Sequence, residues 1–262
     1  MVGRATAVFF ASALIVPNDR PRVVAVIPAR YDSTRLPGKA LAPIAGTPMI
    51  QHVYERTRRA RGVARTLVAT DDARIADAVR AFGGEVMTTG MHATGTDRVA
   101  AVAVELDADV ILDVQGDLPR VDPEALAACV AVFADPAVEM ASLMTPLRDE
   151  DEWRSPHVVK VVTDDDGYAL YFSRSPIPYW RGARDGAALG YRHLGLYAWR
   201  RATLLALAAA PRSRLECAEE LEQLRALEHG VRIKMVFVDS AGPEVDTAED
   251  LERVRHLVEG AR

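Results

Sequence analysis

Residues 23–39 read VVAVIPARYDSTRLPGK and contain the first indication of the fold. The run 23–27 is apolar and has the length of a buried strand. Pro28, Pro37 and Gly38 keep the residues that follow out of a helix. The stretch therefore predicts a strand that ends in a polar loop, at the edge where open α/β sheets bind their ligands.

The alternation of short apolar runs with segments of helical period continues outward along the chain. Strands are predicted at 64–69, 85–88, 109–114 and 231–238, and helices at 72–82, 95–106, 201–209 and 217–229. Further helices are predicted from Thr47 as N-cap with Pro48 as the first helical residue, from Asp122 and Pro123, and from Thr247. The run 109–114 is apolar on both faces, as expected at the centre of a sheet. The pattern predicts an α/β fold with a doubly wound, mostly parallel sheet.

One segment interrupts this alternation. Residues 157–164 and 168–173 flank the turn signal Asp166-Gly167, as the two strands of a β-hairpin do. We interpret the hairpin as an insertion, because 262 residues lie near the usual upper size of one domain. We expect residues 22–262 to form a single domain that follows an N-terminal extension over residues 1–21.

The extension itself has the outline of a signal peptide, with Arg4 followed by an uncharged stretch over residues 5–18. The stretch is shorter than the roughly 20 apolar residues that span a bilayer. Its poor match to a cleavage site favours a frayed extension or upstream sequence from a wrongly chosen start, which N-terminal sequencing of the native protein would decide.

Charge and cysteine content limit the classes of function. The net charge of −5 argues against a nucleic-acid or anionic-membrane surface, so an anionic ligand must be held by a local basic cluster. Cys129 and Cys217 stand far apart without a metal-binding spacing, which predicts buried thiols in a reducing compartment.

The loop 28–39 supplies such a basic cluster. Arg30, Arg35 and Lys39 can converge there with backbone amides, an arrangement that suits a triphosphate. The alternative is a solvated basic loop. The spacing of a Walker phosphate loop is absent, which disfavours an ATPase.

Two acids remote in sequence are candidate ligands of Mg²⁺. Asp117 follows the predicted central strand in the motif VQGD, and Asp246 directly precedes a capping box formed by Thr247 and Asp250. Mg²⁺ usually takes one or two carboxylates together with substrate phosphates. The alternative is that both are unrelated turn residues.

Three further segments offer weaker signals. Thr94, Thr96 and Asp97 in HATGTDR can contact a base edge or cap a helix. Arg174 in YFSR and His193 in HLGLY suit a sugar acid, although an arginine in such a segment is more often at the surface and a histidine more often in the core.

The motifs PARYDSTRLPGK, TPMIQHV, VATDD, TGTDR, VQGD, VVKVV, GYALYFSR, SPIP, RHLGLY, LEQLRAL and VDTAEDLERV occur in this order between residues 23 and 254. In this the sequence resembles the 3-deoxy-manno-octulosonate (Kdo) cytidylyltransferases. The resemblance implies Mg²⁺-dependent transfer of CMP from CTP to the anomeric hydroxyl of Kdo with release of pyrophosphate, for lipopolysaccharide biosynthesis. It also implies a cytoplasmic homodimer with the hairpin near residues 158–173 as a contact.

The resemblance assigns roles to matching residues. Catalysis falls to Arg30, Arg35, Lys39, Asp117 and Asp246, of which Asp117 and Asp246 hold Mg²⁺. CTP is bound with the help of Ser33, Thr94, Gly95, Thr96, Asp97, Arg98 and Gln115. The sugar acid is bound by Arg174, His193, Tyr197, Glu222 and Gln223.

The chain departs from the family pattern at several positions. Asp113 and Leu118 stand where the family usually has Asn and Glu around Asp117, and Cys217 stands where it usually has His. Two alternatives stay open: a related acidic sugar as acceptor, such as 8-amino-Kdo or a sialic acid, and a non-catalytic nucleotide-binding relative.

Overall fold

The computed structural model describes residues 20–32, 35–182 and 190–260. The strands in these ranges are β1 Val23–Ala29, β2 Pro43–Ile44, β3 Thr47–Pro48, β4 Val63–Thr70, β5 Val86–Thr88, β6 Val110–Asp113, β7 Met140–Pro146, β8 Lys160–Thr163, β9 Ala169–Ser173, β10 Tyr191–Arg200 and β11 Ile233–Phe237. The α-helices are α1 Met49–Thr57, α2 Ala73–Ala81, α3 Gly95–Ala103, α4 Pro123–Ala131, α5 Glu150–Arg154, α6 Arg201–Ala209, α7 Arg214–Glu219, α8 Gln223–Glu228 and α9 Ala248–Glu259.

Nine of these strands form one mixed sheet, in the order β11-β7-β10-β6-β1-β4-β5 with β8 and β9 attached through β10. The pairs of β1 with β4 and β6, of β4 with β5, and of β7 with β11 are parallel. The antiparallel strand β10 joins β6 to β7. The doubly wound, mostly parallel α/β fold is thus confirmed, and β6 lies inside the sheet as predicted.

Helices cover both faces of the sheet because successive strand residues point to opposite sides. In β1, Val23, Ala25 and Ile27 belong to the core under α1, α2 and α4, whereas Val24 and Val26 belong to the core under α3, α6 and α8. The first strand is therefore buried on both faces, as its continuous apolar run requires.

The predicted hairpin is present as β8 and β9, with Gly167 in the turn at a φ of 75° that suits glycine. Strand β8 also pairs with β10, so the hairpin extends the main sheet. In the described part of the chain, no helix is both long enough and apolar enough to cross a bilayer.

Several local predictions were wrong. Thr47 and Pro48 form β3, and Pro48 is the N-cap of α1 in an extended conformation. The helix expected over 217–229 is divided into α7 and α8, because Glu220 adopts a φ of 53° that ends α7. Cys217 is exposed, whereas Cys129 is a buried thiol as expected.

Candidate active site

A cleft opens where β1 and β6 end, in front of the N-terminus of α3. It is lined by Pro28, Ala29, Arg30, Lys39, Ala40, His92, Ala93, Thr94, Gly95, Arg98, Gln115, Gly116, Asp117 and Glu222. Gly116 is required here, since a Cβ on it would lie 2.8 Å from the carbonyl oxygen of Pro28. The close approach of the two strand ends brings Gln115 and Asp117 beside the basic loop.

Asp117 meets two acids from the far end of the chain at one end of this cleft. Ligand oxygens of Asp117, Glu244 and Asp246 all lie within 4.8 Å of one another. The ammonium of Lys39 donates to Asp117 Oδ2 at 2.6 Å and to Asp246 Oδ1 at 3.3 Å. The cluster therefore combines three carboxylates with one cation that bridges two of them.

Local structure explains why Asp246 faces Asp117. The Val245 amide donates to the carbonyl of Asp117 at 2.9 Å, and the Val245 side chain is fully buried. The capping box of Thr247 and Asp250 is present, and the Asp250 carboxylate also accepts from the Asp246 amide at 3.1 Å. The segment before α9 is thus held against the loop after β6 at Val245 and against the first turn of α9 at Asp246.

Glu244 is the acid that sequence reasoning missed. Its signal was the spacing in GPEVDT, because residues two apart in an extended segment point to the same side. Desolvation and repulsion from Asp117 and Asp246 raise the pKa of Glu244 to about 7. Since Glu244 is exposed to solvent, we assign the larger part of this shift to the repulsion.

The donor set fits a hard divalent cation. Asp117 Oδ1 is buried and has no hydrogen-bond partner among the described residues. A buried carboxylate oxygen without a partner is costly unless a ligand satisfies it. Carboxylate oxygens are the ligands that Mg²⁺ takes in proteins.

The basic loop holds two of its cations at the acids and one in the cleft. Arg35 pairs with Asp246 at 2.9 Å, Lys39 lies between the acids, and Arg30 lines the cleft. The loop turns at Gly38, where φ is 70° and an added Cβ would lie 3.1 Å from the ring of Tyr31. Ser33 lies outside the described residues.

The N-terminus of α3 closes another side of the cleft. The Thr94 side chain caps the helix by accepting from the Asp97 amide at 3.1 Å. Arg98 is buried, donates to Asp71 Oδ2 at 3.0 Å and lines the cleft with Thr94 and Gly95. Thr96 and Asp97 line an adjacent smaller recess, to which Glu222 also contributes.

Asp113 is the last residue of β6 and precedes Gln115 by two positions. Its carboxyl group is fully buried, accepts from Gln115 Nε2 at 2.9 Å through Oδ1, and leaves Oδ2 without a partner among the described residues. Burial, together with the nearby carboxylates of Glu222 and Asp117, raises the pKa of Asp113 to about 8. Burial therefore favours the protonated form of Asp113.

The sugar-site candidates from β10 and α8 form one buried polar group. Tyr197 donates to Gln223 Oε1 at 3.1 Å, and Gln223 Nε2 lies 3.5 Å from His193 Nδ1. His193 Nε2 lies 2.8 Å from Ser142 Oγ, and burial lowers the pKa of His193 to about 3. His193 is hence a neutral, hydrogen-bonded core histidine, and its neighbour Gln223 directly follows Glu222, which lines the cleft.

Arg174 is placed differently from the other candidates. Its guanidinium donates to the backbone carbonyls of Glu219 at 2.7 Å and Pro156 at 3.0 Å, and its amide donates to the Glu219 carboxylate. These contacts fix the end of β9 against the end of α7. Among the described residues that line the cleft, Arg174 is not included.

Comparison with known proteins gives the same family from sequence and from structure. Residues 24–233 match the family model for cytidylyltransferases. The 3-deoxy-manno-octulosonate cytidylyltransferase of Geobacter sulfurreducens is 53% identical over 243 residues, which are 88% of this chain and 97% of that protein. The protein of the same name from Syntrophotalea carbinolica is 53% identical over 247 residues, covering 91% and 99% of the two chains.

Solved structures agree. A CMP:2-keto-3-deoxy-manno-octonic acid synthetase complexed with CTP superimposes with a TM-score of 0.88 and 45% identity, over 92% of this chain and all of that one. The 4-diphosphocytidyl-2C-methyl-D-erythritol synthase of Anaerococcus prevotii has a TM-score of 0.63 at 14% identity, over 92% and 97% of the two chains, and so shares the fold.

Proposed function

This chain belongs to the 3-deoxy-manno-octulosonate cytidylyltransferase family, and we propose that it transfers CMP from CTP to the anomeric hydroxyl of Kdo and releases pyrophosphate. One observation carries the assignment of the site. Asp117 and Asp246, remote in sequence, lie together with Lys39 at the end of a cleft that the basic loop lines.

We propose that the triphosphate of CTP lies along the loop after β1. Arg30 faces the cleft, and Arg98 adds a buried cation at its other side. Thr94 and Gly95 present the N-terminus of α3, whose amides and dipole favour a phosphate. Ser33, Thr96 and Asp97 are proposed CTP contacts from the family resemblance.

We propose that Asp117 and Asp246 hold Mg²⁺, with Glu244 within reach of the same ion. When bound, Mg²⁺ would neutralise charge on the phosphates and lower the pKa of the attacking sugar hydroxyl. Lys39 and Arg35 would stabilise the charge that develops on the α-phosphate and on the departing pyrophosphate. The remaining catalytic contribution is the positioning of hydroxyl and phosphorus in line.

The sugar acid is proposed to bind beside Glu222, next to the buried group of His193, Tyr197 and Gln223. Glu222 lines the cleft, and the other three side chains contact one another on β10 and α8. Arg174 would pair with the sugar carboxylate only if it exchanged its backbone carbonyl partners for the ligand.

Assembly, compartment and domain limits are also proposals. We propose a homodimer that uses the hairpin β8–β9, where the side chain of Leu170 is exposed. Residues 22–262 are proposed to be one domain, since elements from Val23 to Phe237 contribute to a single sheet. A cytoplasmic location is proposed because CTP is available there.

The test is pyrophosphate release from CTP with Kdo, 8-amino-Kdo or a sialic acid, each with and without Mg²⁺. Release that requires Kdo and Mg²⁺ supports the proposal, and a preference for another sugar would reassign the acceptor. Tight CTP binding without release for any of these sugars would favour a non-catalytic relative.

The metal assignment is tested separately with Asp117→Asn and Asp246→Asn. Loss of one essential electrostatic contact costs about 3 kcal/mol or more, so each variant should lose at least about a hundredfold in kcat. Asp77→Asn, on an exposed acid of α2, is the matched control. Near-normal turnover in both site variants would reject the assignment.

A further inference from the structure

The buried carboxyl group of Asp113 has no role in the assignments above, although it lies next to the cleft. It sits at the end of β6 between Val26 of β1 and Tyr197 of β10. It is fully buried and forms no ion pair with the described residues: Oδ1 accepts from Gln115, and Oδ2 has no partner among them. The charged groups that act on it are the acids Glu222 and Asp117.

This environment makes Asp113 an acceptor with one fixed partner. Among the described residues, the Gln115 carboxamide is the one hydrogen-bond partner of the Asp113 side chain, through Oδ1. Gln115 Nε2 donates to that oxygen at 2.9 Å. If the carboxamide rotated by half a turn, the hydrogen bond from Nε2 would be lost, and Nε2 would take the place of Oε1 beside Gly95.

The fixed orientation turns the other end of the carboxamide toward α3. A Cβ placed on Gly95 would lie 3.4 Å from Gln115 Oε1 and 3.8 Å from Nε2, so the carboxamide packs directly against this glycine. Gly95 and Gln115 both line the cleft. The amide oxygen is therefore presented at the place where α3 begins.

From this geometry we propose that Asp113 is a positioning residue, which holds Gln115 so that Oε1 accepts a hydrogen bond from a hydroxyl or amino group of a bound substrate. The inference rests on the proposed function. It also accounts for a side-chain carboxyl being tolerated at a fully buried position, because one oxygen is used to orient a ligand contact.

The experiment is a double-mutant cycle on the full chain. Asp113→Leu removes the acceptor in a side chain of the same branching, Gln115→Met removes the carboxamide, and Asp113→Asn keeps an acceptor oxygen. The KM for CTP, the KM for Kdo and kcat are measured for each variant and for the double variant Asp113→Leu with Gln115→Met. Binding of each substrate is measured in parallel by calorimetry, and folding by thermal unfolding.

We expect Asp113→Leu to raise one KM by about tenfold with a smaller change in kcat, because an unoriented carboxamide loses one hydrogen bond. A change in the KM for CTP would assign the donor to the nucleotide, and a change in the KM for Kdo would assign it to the sugar. Asp113→Asn should restore the wild-type value to within about threefold. The double variant should be no worse than Gln115→Met alone, because Asp113 acts through Gln115.

The proposal would be overturned if the KM increases of the two single variants multiplied in the double variant. It would also be overturned if Asp113→Leu left both KM values unchanged. An Asn variant as impaired as the Leu variant would do the same. If folded wild-type protein releases no pyrophosphate, the proposed function fails. The role of Asp113 is then tested by comparing the calorimetric binding constants of the same four variants and the wild type.

Discussion

Replacing Asp113 by Asn tests whether the folded protein keeps a neutral acid inside the sheet. The pKa of Asp113 is raised from 3.8 to about 8, first by burial and then by the charges of Glu222 and Asp117. Between these two values the native state holds a proton that the unfolded chain has released. The contribution of Asp113 to stability is therefore fully present below about pH 4 and is lost as the pH rises toward 8.

The magnitude follows from the width of this window. Each pH unit inside it lowers the free energy of unfolding of the wild type by about 1.4 kcal/mol relative to a side chain that does not ionise. Between pH 5 and pH 7 the stability advantage of Asp113→Asn should thus grow by about 2–3 kcal/mol. The amide of Asn also lacks a second partner, but that cost is the same at both pH values and cancels in the comparison.

The assay is urea unfolding of both proteins at pH 5 and pH 7, with Asp77→Asn as the control. The control should show the same pH dependence as the wild type, because Asp77 is exposed. A stability difference between Asp113→Asn and wild type that stayed constant within about 0.5 kcal/mol would refute the neutral acid. It would mean that Asp113 is ionised in the native protein.

Three further outcomes follow from buried or strained positions. Gly38→Ala should destabilise the protein by about 1–3 kcal/mol in urea unfolding, because a side chain at a φ of 70° is strained and would meet the Tyr31 ring at 3.1 Å. Lys160→Met should lower the free energy of unfolding by about 3 kcal/mol or more, since the fully buried ammonium donates to three backbone carbonyls. The control Lys234→Met, on a partly exposed side chain, should lower it by less than about 1 kcal/mol. His193 stays neutral in the folded protein because burial lowers its pKa to about 3, so unfolding below about pH 6.5 takes up a proton. Between pH 6 and pH 4 the free energy of unfolding should therefore fall by about 2–3 kcal/mol more for the wild type than for His193→Gln. Equal decreases in the two proteins would contradict this.

The predictable part of the fold was the part with continuous apolar runs. Strands β1, β4 and β6 and helix α6 were predicted close to their observed bounds, because the length of each apolar run suits one type of element. Strands β7 and β10 were not predicted. The sequence of β10 mixes aromatic, basic and small residues, so this segment resembled a ligand-binding loop rather than a strand. The register of β10 against β7 also shifts between Leu194 and Tyr197, which interrupts the alternation expected of a strand.

The candidate site shows a similar division. The motif VQGD and the capping box could indicate where Asp117 and Asp246 lie, since Asp117 follows a central strand and Asp246 precedes a fixed helix start. The sequence could not indicate that Glu244 joins them or that Arg174 is engaged by backbone carbonyls. Both facts depend on how α7 and the segment before α9 pack against distant elements.

The arrangement around Lys39 explains how an acidic protein could hold a polyanion. Three carboxylates alone would repel a triphosphate, and a basic loop alone would bind one without bringing a divalent ion to it. Here Lys39 and Arg35 contact the acids, so the acidic cluster is partly compensated before any ligand arrives. An incoming Mg²⁺ would compete with Lys39 for Asp117 and Asp246, and an ammonium displaced from the acids would be free for the phosphates that accompany the ion. The net charge of −5 would then not oppose binding, because Mg²⁺ and the nucleotide would enter as a pair whose charges match the acids and the basic loop.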